Sequence, residues 1–229
     1  MTAPLDPAAT LDATPDATLD ELRAALAPGI AANAAFDGWT DLAVETAAFG
    51  SDVDPDVARL AFPGGATDLI DAWFGHVDAA MAERLPPDRL AALKIRARIA
   101  ALVEARLDIL APDREALRRA LAILALPQNV PTGARLGWRA ADRMWRLAGD
   151  TATDYNHYTK RATLGAIYAA TVTVFLDDDS AGQAETRAFL ARRIDGLMRF
   201  EQAKAGFLRR IELRPSLSRF VGRLRYPAV

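Results

Sequence analysis

Apolar residues recur at helical spacing through most of this chain, in segments separated by proline and glycine. The first segment opens at Thr18 with Glu21 three positions on, the signature of a capping box. It predicts a helix to about Ala35, ending near Phe36-Asp37-Gly38-Trp39. A second helix is predicted from Thr40 to Gly50-Ser51. Asp54-Pro55 then sets an N-cap followed by proline at the first helical position, opening a short third helix that Pro63-Gly64-Gly65 stops. Three helices with a tight turn between the second and third form a helix-turn-helix pattern. Longer helices are predicted at 66–84, 88–110 and 113–126, closed by Pro86, Pro112 and Pro127. From Thr132 to Arg214 no proline occurs, and that stretch divides into helices to about Ala148, from Asp154 to Leu176, and from Gln183 to Leu213. Ser180 and Gln183 suggest a second capping box. Thr171-Val-Thr-Val-Phe175 carries β-branched residues that lose rotamer freedom in a helix, yet nothing nearby offers a partner strand, so it reads as helix. Residues 1–17 are Ala, Thr, Pro and Asp with scarcely a large apolar side chain, and are expected to be disordered. The prediction is all-α.

One stretch departs from ordinary amphipathicity. Ala162 to Leu176 contains no charge, while Gly149–Arg161 before it is polar and aromatic and Asp177-Asp178-Asp179 stops it. Fifteen residues fall short of the roughly 20 that span a bilayer, so the stretch must be buried in protein or line an apolar cavity. Small residues form rows at Gly165/Ala169 and Ala162/Ala166/Ala170, where a backbone or ligand can approach closely. Leu164, Ile167, Tyr168, Val172 and Phe175 supply the larger surface. Trp138, Met144, Trp145 and Leu147 precede it, and Phe189, Leu190, Ile194, Leu197 and Met198 follow. On the residues alone, an ordinary helical core explains these better than a cavity.

Charge is distributed unevenly behind a net of −2. Residues 18–64 hold eight acids (Asp20, Glu21, Asp37, Asp41, Glu45, Asp52, Asp54, Asp56) and two bases (Arg23, Arg59), a net of −6. From Arg199 onward, eight bases (Arg199, Lys204, Arg209, Arg210, Arg214, Arg219, Arg223, Arg225) face two acids (Glu201, Glu212), a net of +6. An acidic front repels a polyanion, and the predicted recognition segment 54–62 offers Arg59 alone, so DNA is not the expected partner. In the tail, Leu217, Phe220, Val221 and Leu224 fall at i, i+3, i+4, i+7, with Arg219, Arg223 and Arg225 around them. Phe207, Leu208 and Ile211 repeat the arrangement with Arg209, Arg210 and Arg214. Such a basic amphipathic segment suits a membrane interface, and docking on its own domain or on a dimer partner is the alternative. A basic n-region is missing, the first base being Arg23, which makes the cytoplasm the expected compartment.

Catalytic signatures are lacking. No phosphate loop, dinucleotide turn, nucleophile elbow or zinc motif occurs, cysteine is absent, and the histidines are His76 and His157. Asp154 and His157 stand three apart, but a di-iron bundle needs a Glu-x-x-His from each of two helices. No metal or cofactor is expected. The three aspartates at 177–179 read as a solvated interhelical loop.

Gly149-Asp150-Thr151, Thr153-Asp154, Asn156, Tyr158-Thr159-Lys160-Arg161, Tyr168 and Asp178-Asp179-Ser180 resemble the ubiquinone-biosynthesis accessory family, the Coq-nine proteins. The resemblance runs from about Thr18 to Arg225. It implies a fold of tetracycline-repressor type, usually homodimeric through its last helices, and no catalytic activity. It implies an isoprenoid lipid or ubiquinone precursor held between C-terminal helices, and association with a ubiquinone-pathway hydroxylase, typically the one acting on demethoxyubiquinone. The lining expected on that basis is Trp138, Met144, Leu147, Leu164, Ile167, Tyr168, Val172, Phe175, Leu190, Ile194, Leu197 and Met198. Gly149–Arg161 becomes the candidate hydroxylase interface, with Tyr155, His157 and Tyr158 as anchors and Asp154, Lys160 and Arg161 setting orientation. Some family members carry tryptophan where this chain has His157, which weakens or replaces an apolar contact. A capped helix start at Thr153 or Asp154 also explains part of that motif. The expected organisation is a tail at 1–17, a helix-turn-helix segment at 18–64, a lipid-binding core at 65–204, and a membrane-binding tail at 205–229, on the cytoplasmic face of the inner membrane. Its rivals are a ligand-responsive transcriptional regulator and an enzyme.

Overall fold

The computed structural model describes residues 18–151 and 155–196. The expected disordered tail, Asp154, Leu197, Met198 and the basic segment all lie outside that range, as does the side chain of Tyr155. The chain runs through α1 (Leu19–Asp37), α2 (Asp41–Gly50), α3 (Pro55–Leu60), α4 (Ala66–Arg84), α5 (Pro87–Ala91), α6 (Ile95–Leu110), α7 (Arg114–Leu124), α8 (Val130–Leu147) and α9 (Tyr155–Asp177). Residues 184–196 are helical to the last described position and are called α10. Among the described residues there is no strand.

The helix starts follow local chemistry. At α1 the Glu21 amide donates to Thr18 Oγ1 at 3.3 Å while the Thr18 amide donates to Glu21 Oε2 at 2.8 Å, completing the capping box. Asp54 accepts from the Asp56 amide at 2.8 Å, and Pro55 fills the position whose N–H has no helical partner. Thr171 and Thr173 sit within α9, each hydroxyl donating to a carbonyl one turn back (Ile167 at 2.7 Å, Ala169 at 3.1 Å). That bond satisfies the polar atom and lets the β-branched run stay helical.

α1 packs against α2, α4 and α7, and α4 continues the core towards α6 and α8. Trp39 and Trp73 meet with ring centroids 5.2 Å apart, and Trp39 Nε1 donates to the Ala116 carbonyl at 3.1 Å. The front is thereby fastened to the body through buried aromatic surface with its polar atom satisfied. One contiguous cluster runs from Leu26 and Ile30 through Trp73, Leu102 and Met144 to Phe175, Leu190 and Ile194.

Two local expectations fail for identifiable reasons. The helix expected over 88–110 is two helices, because Lys94 takes an extended conformation (φ −69°, ψ 152°) and the chain turns. Arg98 holds that corner, donating from Nε to the Leu93 carbonyl at 2.8 Å and from Nη2 to the Ala91 carbonyl at 3.2 Å. Its Nη1 reaches the Ala148 carbonyl at 2.9 Å, tying the corner to the end of α8. Periodicity cannot reveal a bend whose carbonyls are satisfied by a side chain rather than by the next helical turn. Nor do Ser180 and Gln183 form a capping box, since Gln183 has φ 58°. Asp178 takes over that work.

Asp178 is also no solvated loop residue, being only 2% exposed. Its carboxylate accepts the Ser180 amide at 2.9 Å, the Thr186 amide at 2.8 Å and the Thr186 hydroxyl at 2.6 Å. Asp177 and Asp179 stay exposed, paired with Arg118 at 3.1 Å and Arg114 at 3.5 Å. The bonds from Ser180 and Thr186 hold the Asp178 carboxyl well below its ordinary range. A depressed folded-state value stabilises the fold above the unfolded pKa of about 4 and is lost as pH falls. Urea unfolding at fixed ionic strength is therefore expected to show a steeper loss of stability between about pH 5 and pH 3 in the natural protein than in Asp178→Asn. Parallel curves for the two would remove Asp178 as a cause.

Candidate functional site

α8 and α9 lie against each other as a hairpin, and the residues at its tip explain why. Gly149 ends α8 with φ 92°, its amide donating to the Arg146 carbonyl at 3.0 Å, while the Asp150 amide donates to the Trp145 carbonyl at 3.0 Å. This is a Schellman ending, which needs a residue free to adopt positive φ. It aims the Asp150 side chain back at α9. Lys160 Nζ stands 2.7 Å from Asp150 Oδ1, and Arg161 Nη1 3.0 Å from Asp150 Oδ2. Arg161 Nε also binds Asp142 on α8 at 2.6 Å, and its Nη1 donates to the His157 carbonyl at 3.1 Å. Trp145 Nε1 donates to the Lys160 carbonyl at 3.0 Å beneath the Lys160 ammonium. Burial works against charge on Asp150, but hydrogen bonds from Lys160 and Arg161 outweigh it and hold the carboxyl below its ordinary range.

These contacts change the roles of several candidate residues. Arg161, expected to orient a partner from the surface, is 2% exposed and locked between two carboxylates. Lys160 is half-buried and turned onto Asp150 and Trp145. Tyr158, by contrast, is 62% exposed, with His157 edge-on at 5.1 Å. Trp138, expected to line an interior pocket, stands 38% exposed on α8, its ring 6.1 Å from Tyr158. The reason is register: Leu136, Ala140, Ala141 and Met144 take the inner face of α8, leaving Trp138 outside. Trp138, His157 and Tyr158 therefore form one aromatic surface patch beside the hairpin tip.

The inner face of α9 behaves differently. Leu164, Val172 and Phe175 are buried with Met144, Leu190 and Ile194, while Leu147, Ile167 and Tyr168 pack partly buried against them. Gly165 brings α9 close to α8, where an added Cβ would lie 3.9 Å from Ala141 Cβ and 4.0 Å from the Gly137 carbonyl oxygen. The other small residues, Ala162, Ala166, Ala169 and Ala170, point outward, and Thr173 extends their row. Sequence reasoning assigned all of them to close approach; only Gly165 makes one within the described residues. The outer face of α9 is exposed yet uncharged from Ala162 to Leu176.

A polar network lies beside this interior, and sequence reasoning missed it. Arg106 on α6 is fully buried, its Nη1 paired with Asp78 on α4 and its Nε donating to Tyr168 Oη at 3.1 Å. Arg139 on α8 approaches Asp78 at 3.3 Å and is bonded to Asp71, which Arg135 also holds at 2.8 Å. Four helices meet at these charges. The one advance signal, an arginine on the apolar stripe of α6, has no meaning without its partner 28 residues away.

The two bases of the helix-turn-helix front are both engaged in ion pairs. Arg59 is paired with Glu45 at 2.6 Å and with Asp56, and Arg23 is bound to Asp68. Both of its bases are neutralised by acids of this same chain. Among the described residues, no helix is long and apolar enough to cross a membrane, and no three His, Cys, Asp or Glu side chains converge as metal ligands would.

A helix-turn-helix front on an all-helical body is the architecture of the tetracycline-repressor class. The crystal structure of a TetR transcriptional regulator from Nitrosomonas europaea superposes with a TM-score of 0.61 at 25% identity, covering 76% of this chain and 96% of that one. Within that class the chain is closer to another group. Residues 130–201, from α8 through α10, match the COQ9 family model. The mitochondrial ubiquinone biosynthesis protein COQ9 of Rattus norvegicus is 46% identical over 96 residues, 42% of this chain and 31% of that protein. COQ9 of Xenopus tropicalis is 32% identical over 168 residues (70% and 53%), and that of Drosophila melanogaster 30% over 188 residues (80% and 57%). The chain thus spans from 31% to 57% of the length of these relatives. It carries the COQ9-family domain and is homologous to these proteins of ubiquinone biosynthesis.

Removing the Arg161 guanidinium leaves Asp142 and Asp150 facing each other in a half-buried site. Arg161→Ala is expected to cost about 3 kcal/mol or more in denaturant unfolding, whereas exposed Tyr158→Ala should stay within about 0.5 kcal/mol. Equal effects from the two would contradict the hairpin clamp.

Proposed function

We propose that this chain is a non-catalytic accessory of ubiquinone biosynthesis that holds an isoprenoid quinone precursor or similar polyprenyl lipid and presents it to a membrane-associated hydroxylase. The observation that carries this reading is the outer face of α9. A helix facing water carries charge, because charged side chains are cheap there and apolar surface is not. Here the fifteen residues 162–176 offer Ala and Thr outward with no charge at all. Such a face calls for an apolar cover, either a polyprenyl chain or the matching helices of a second copy. Both belong to the proposal, which has the protein act as a homodimer through α9 and α10.

The remaining parts follow from chemistry. Each buried CH₂ is worth about 0.8 kcal/mol, so a long isoprenoid leaves a bilayer rarely unless an apolar site receives it. The basic segment beyond residue 205 supplies contact with the cytoplasmic face of the inner membrane, each base near an anionic surface contributing about 1 kcal/mol. Trp138, His157 and Tyr158 offer the hydroxylase a compact aromatic anchor next to the hairpin tip. Lys160 and Arg161 contribute by holding that patch in place rather than by touching the partner. The helix-turn-helix front is then an inherited scaffold without a DNA role.

Mass spectrometry of lipid extracted from the native protein is expected to show a polyprenyl species at a defined ratio to protein; protein that is lipid-free in every preparation counts against a carrier. Flotation with liposomes should be lost when the chain is truncated after Arg214, and undiminished flotation would reject the membrane role of the tail. Tyr158→Ala is expected to weaken capture of the hydroxylase roughly ten-fold or more, as loss of an aromatic anchor does.

A further inference from the structure

The front carries a surface that lipid and hydroxylase binding leave unused. Phe49 is 73% exposed, Leu60 68%, Leu42 54% and Val57 41%. On α2, Leu42, Glu45 and Phe49 follow at spacings of three and four and form one row. On α3, Val57 and Leu60 are likewise neighbours, as are Asp56 and Arg59. The Arg59 guanidinium bridges the two rows, 2.6 Å from Glu45 Oε1 and bonded to Asp56, so they adjoin as one patch. The patch is apolar, rimmed by acids, and its base is already neutralised. Water does not favour it, and a polyanion or anionic bilayer is repelled by the net of −6 over residues 18–64. Its partner must be apolar and cationic together.

The chain itself supplies such a partner. Residues 199–225 carry a net of +6, with apolar residues at i, i+3, i+4, i+7 in Leu217, Phe220, Val221 and Leu224. Residues 197–216, between the last described position and that apolar run, span roughly 30 Å if helical and more if extended, enough to cross much of a body about 45 Å across for a chain of this size. Tethering raises the effective concentration to the millimolar range, so a modest contact suffices. We propose that the acidic apolar face of α2 and α3 is the docking site of the chain's own apolar and cationic segment 217–225, with residues 197–216 as its tether. Docking there hides the apolar residues of that segment, so an anionic membrane must compete with the front for it. The docking does not depend on the identity of any lipid cargo, and only its regulatory consequence rests on the membrane role of the tail.

The chain lacks cysteine, so Gly50→Cys with Ser218→Cys gives two unique positions for spin labels; Gly50 is exposed with open space at its Cβ. Pulsed dipolar spectroscopy at low salt is expected to show a narrow short distance. It should broaden in 1 M salt, where the Debye length is about 3 Å, and in Phe49→Ser/Leu60→Ser. Those substitutions fall on exposed side chains, and circular dichroism checks that the helices persist. The same variant should bind vesicles of phosphatidylcholine and phosphatidylserine roughly ten-fold more strongly, the size of a lost large apolar contact. A broad distribution unchanged by salt and by the variant overturns the proposal. So does a short distance that arises only between singly labelled copies, which would assign the face to a second copy's tail. If neither protein binds vesicles, the membrane reading fails, while the distances still decide the docking.

Discussion

Arg161 lies between Asp142 on α8 and Asp150 at the hairpin tip, and the pairing of α8 with α9 depends on that placement. A guanidinium taken out of water is tolerated only when its charge and its donors are answered, and here two carboxylates and a carbonyl answer them. The Schellman ending at Gly149 is what brings Asp150 into reach. Once the clamp closes, the register of α8 against α9 is set. That register decides which side chains of α9 enter the core and which are left on its open face.

A second buried guanidinium serves the body in the same way. Arg106 joins α6 to Asp78 on α4 and to Tyr168 on α9, and Arg139 brings α8 into the same group. Directional bonds of this kind fix relative helix positions more tightly than apolar contact alone, which is close to indifferent to small slides. The interior of these four helices is thus held from its polar points, with apolar residues filling between them. An outer face free of charge can then remain open without the helices collapsing onto it.

The division of charge gives the molecule two ends with different chemistry. The front has the helix-turn-helix shape, and both of its bases are held in ion pairs within the chain. The opposite end of the sequence is cationic and amphipathic. Between them, the aromatic patch of Trp138, His157 and Tyr158 sits where an uncharged helix face meets a polar loop. Fold likeness to a transcriptional regulator and homology to ubiquinone biosynthesis proteins are compatible for this reason.

Helix type and most helix ends were legible from residues alone, because caps such as Thr18/Glu21 and Asp54-Pro55 act within one turn. The same locality explains the successes at α4 and at the Thr171–Phe175 run. Where a bond reaches beyond the local helical turn, reading the chain failed. Arg98 bends 88–110 by reaching Ala148, Asp178 caps α10 from within the core, and Arg161 is interior because Asp142 awaits it. Trp138 went to the surface because register on α8 is chosen by packing with α9. An α-helix offers every side chain a place on its circumference, and its own sequence ranks those places only by polarity. Which alanines of α9 touch a neighbour and which face outward is a choice between equals that helix packing alone makes. The amino-acid sequence by itself determined an all-helical chain with opposed charged ends and an uncharged helix, and the tertiary structure decided which face of that helix was left open.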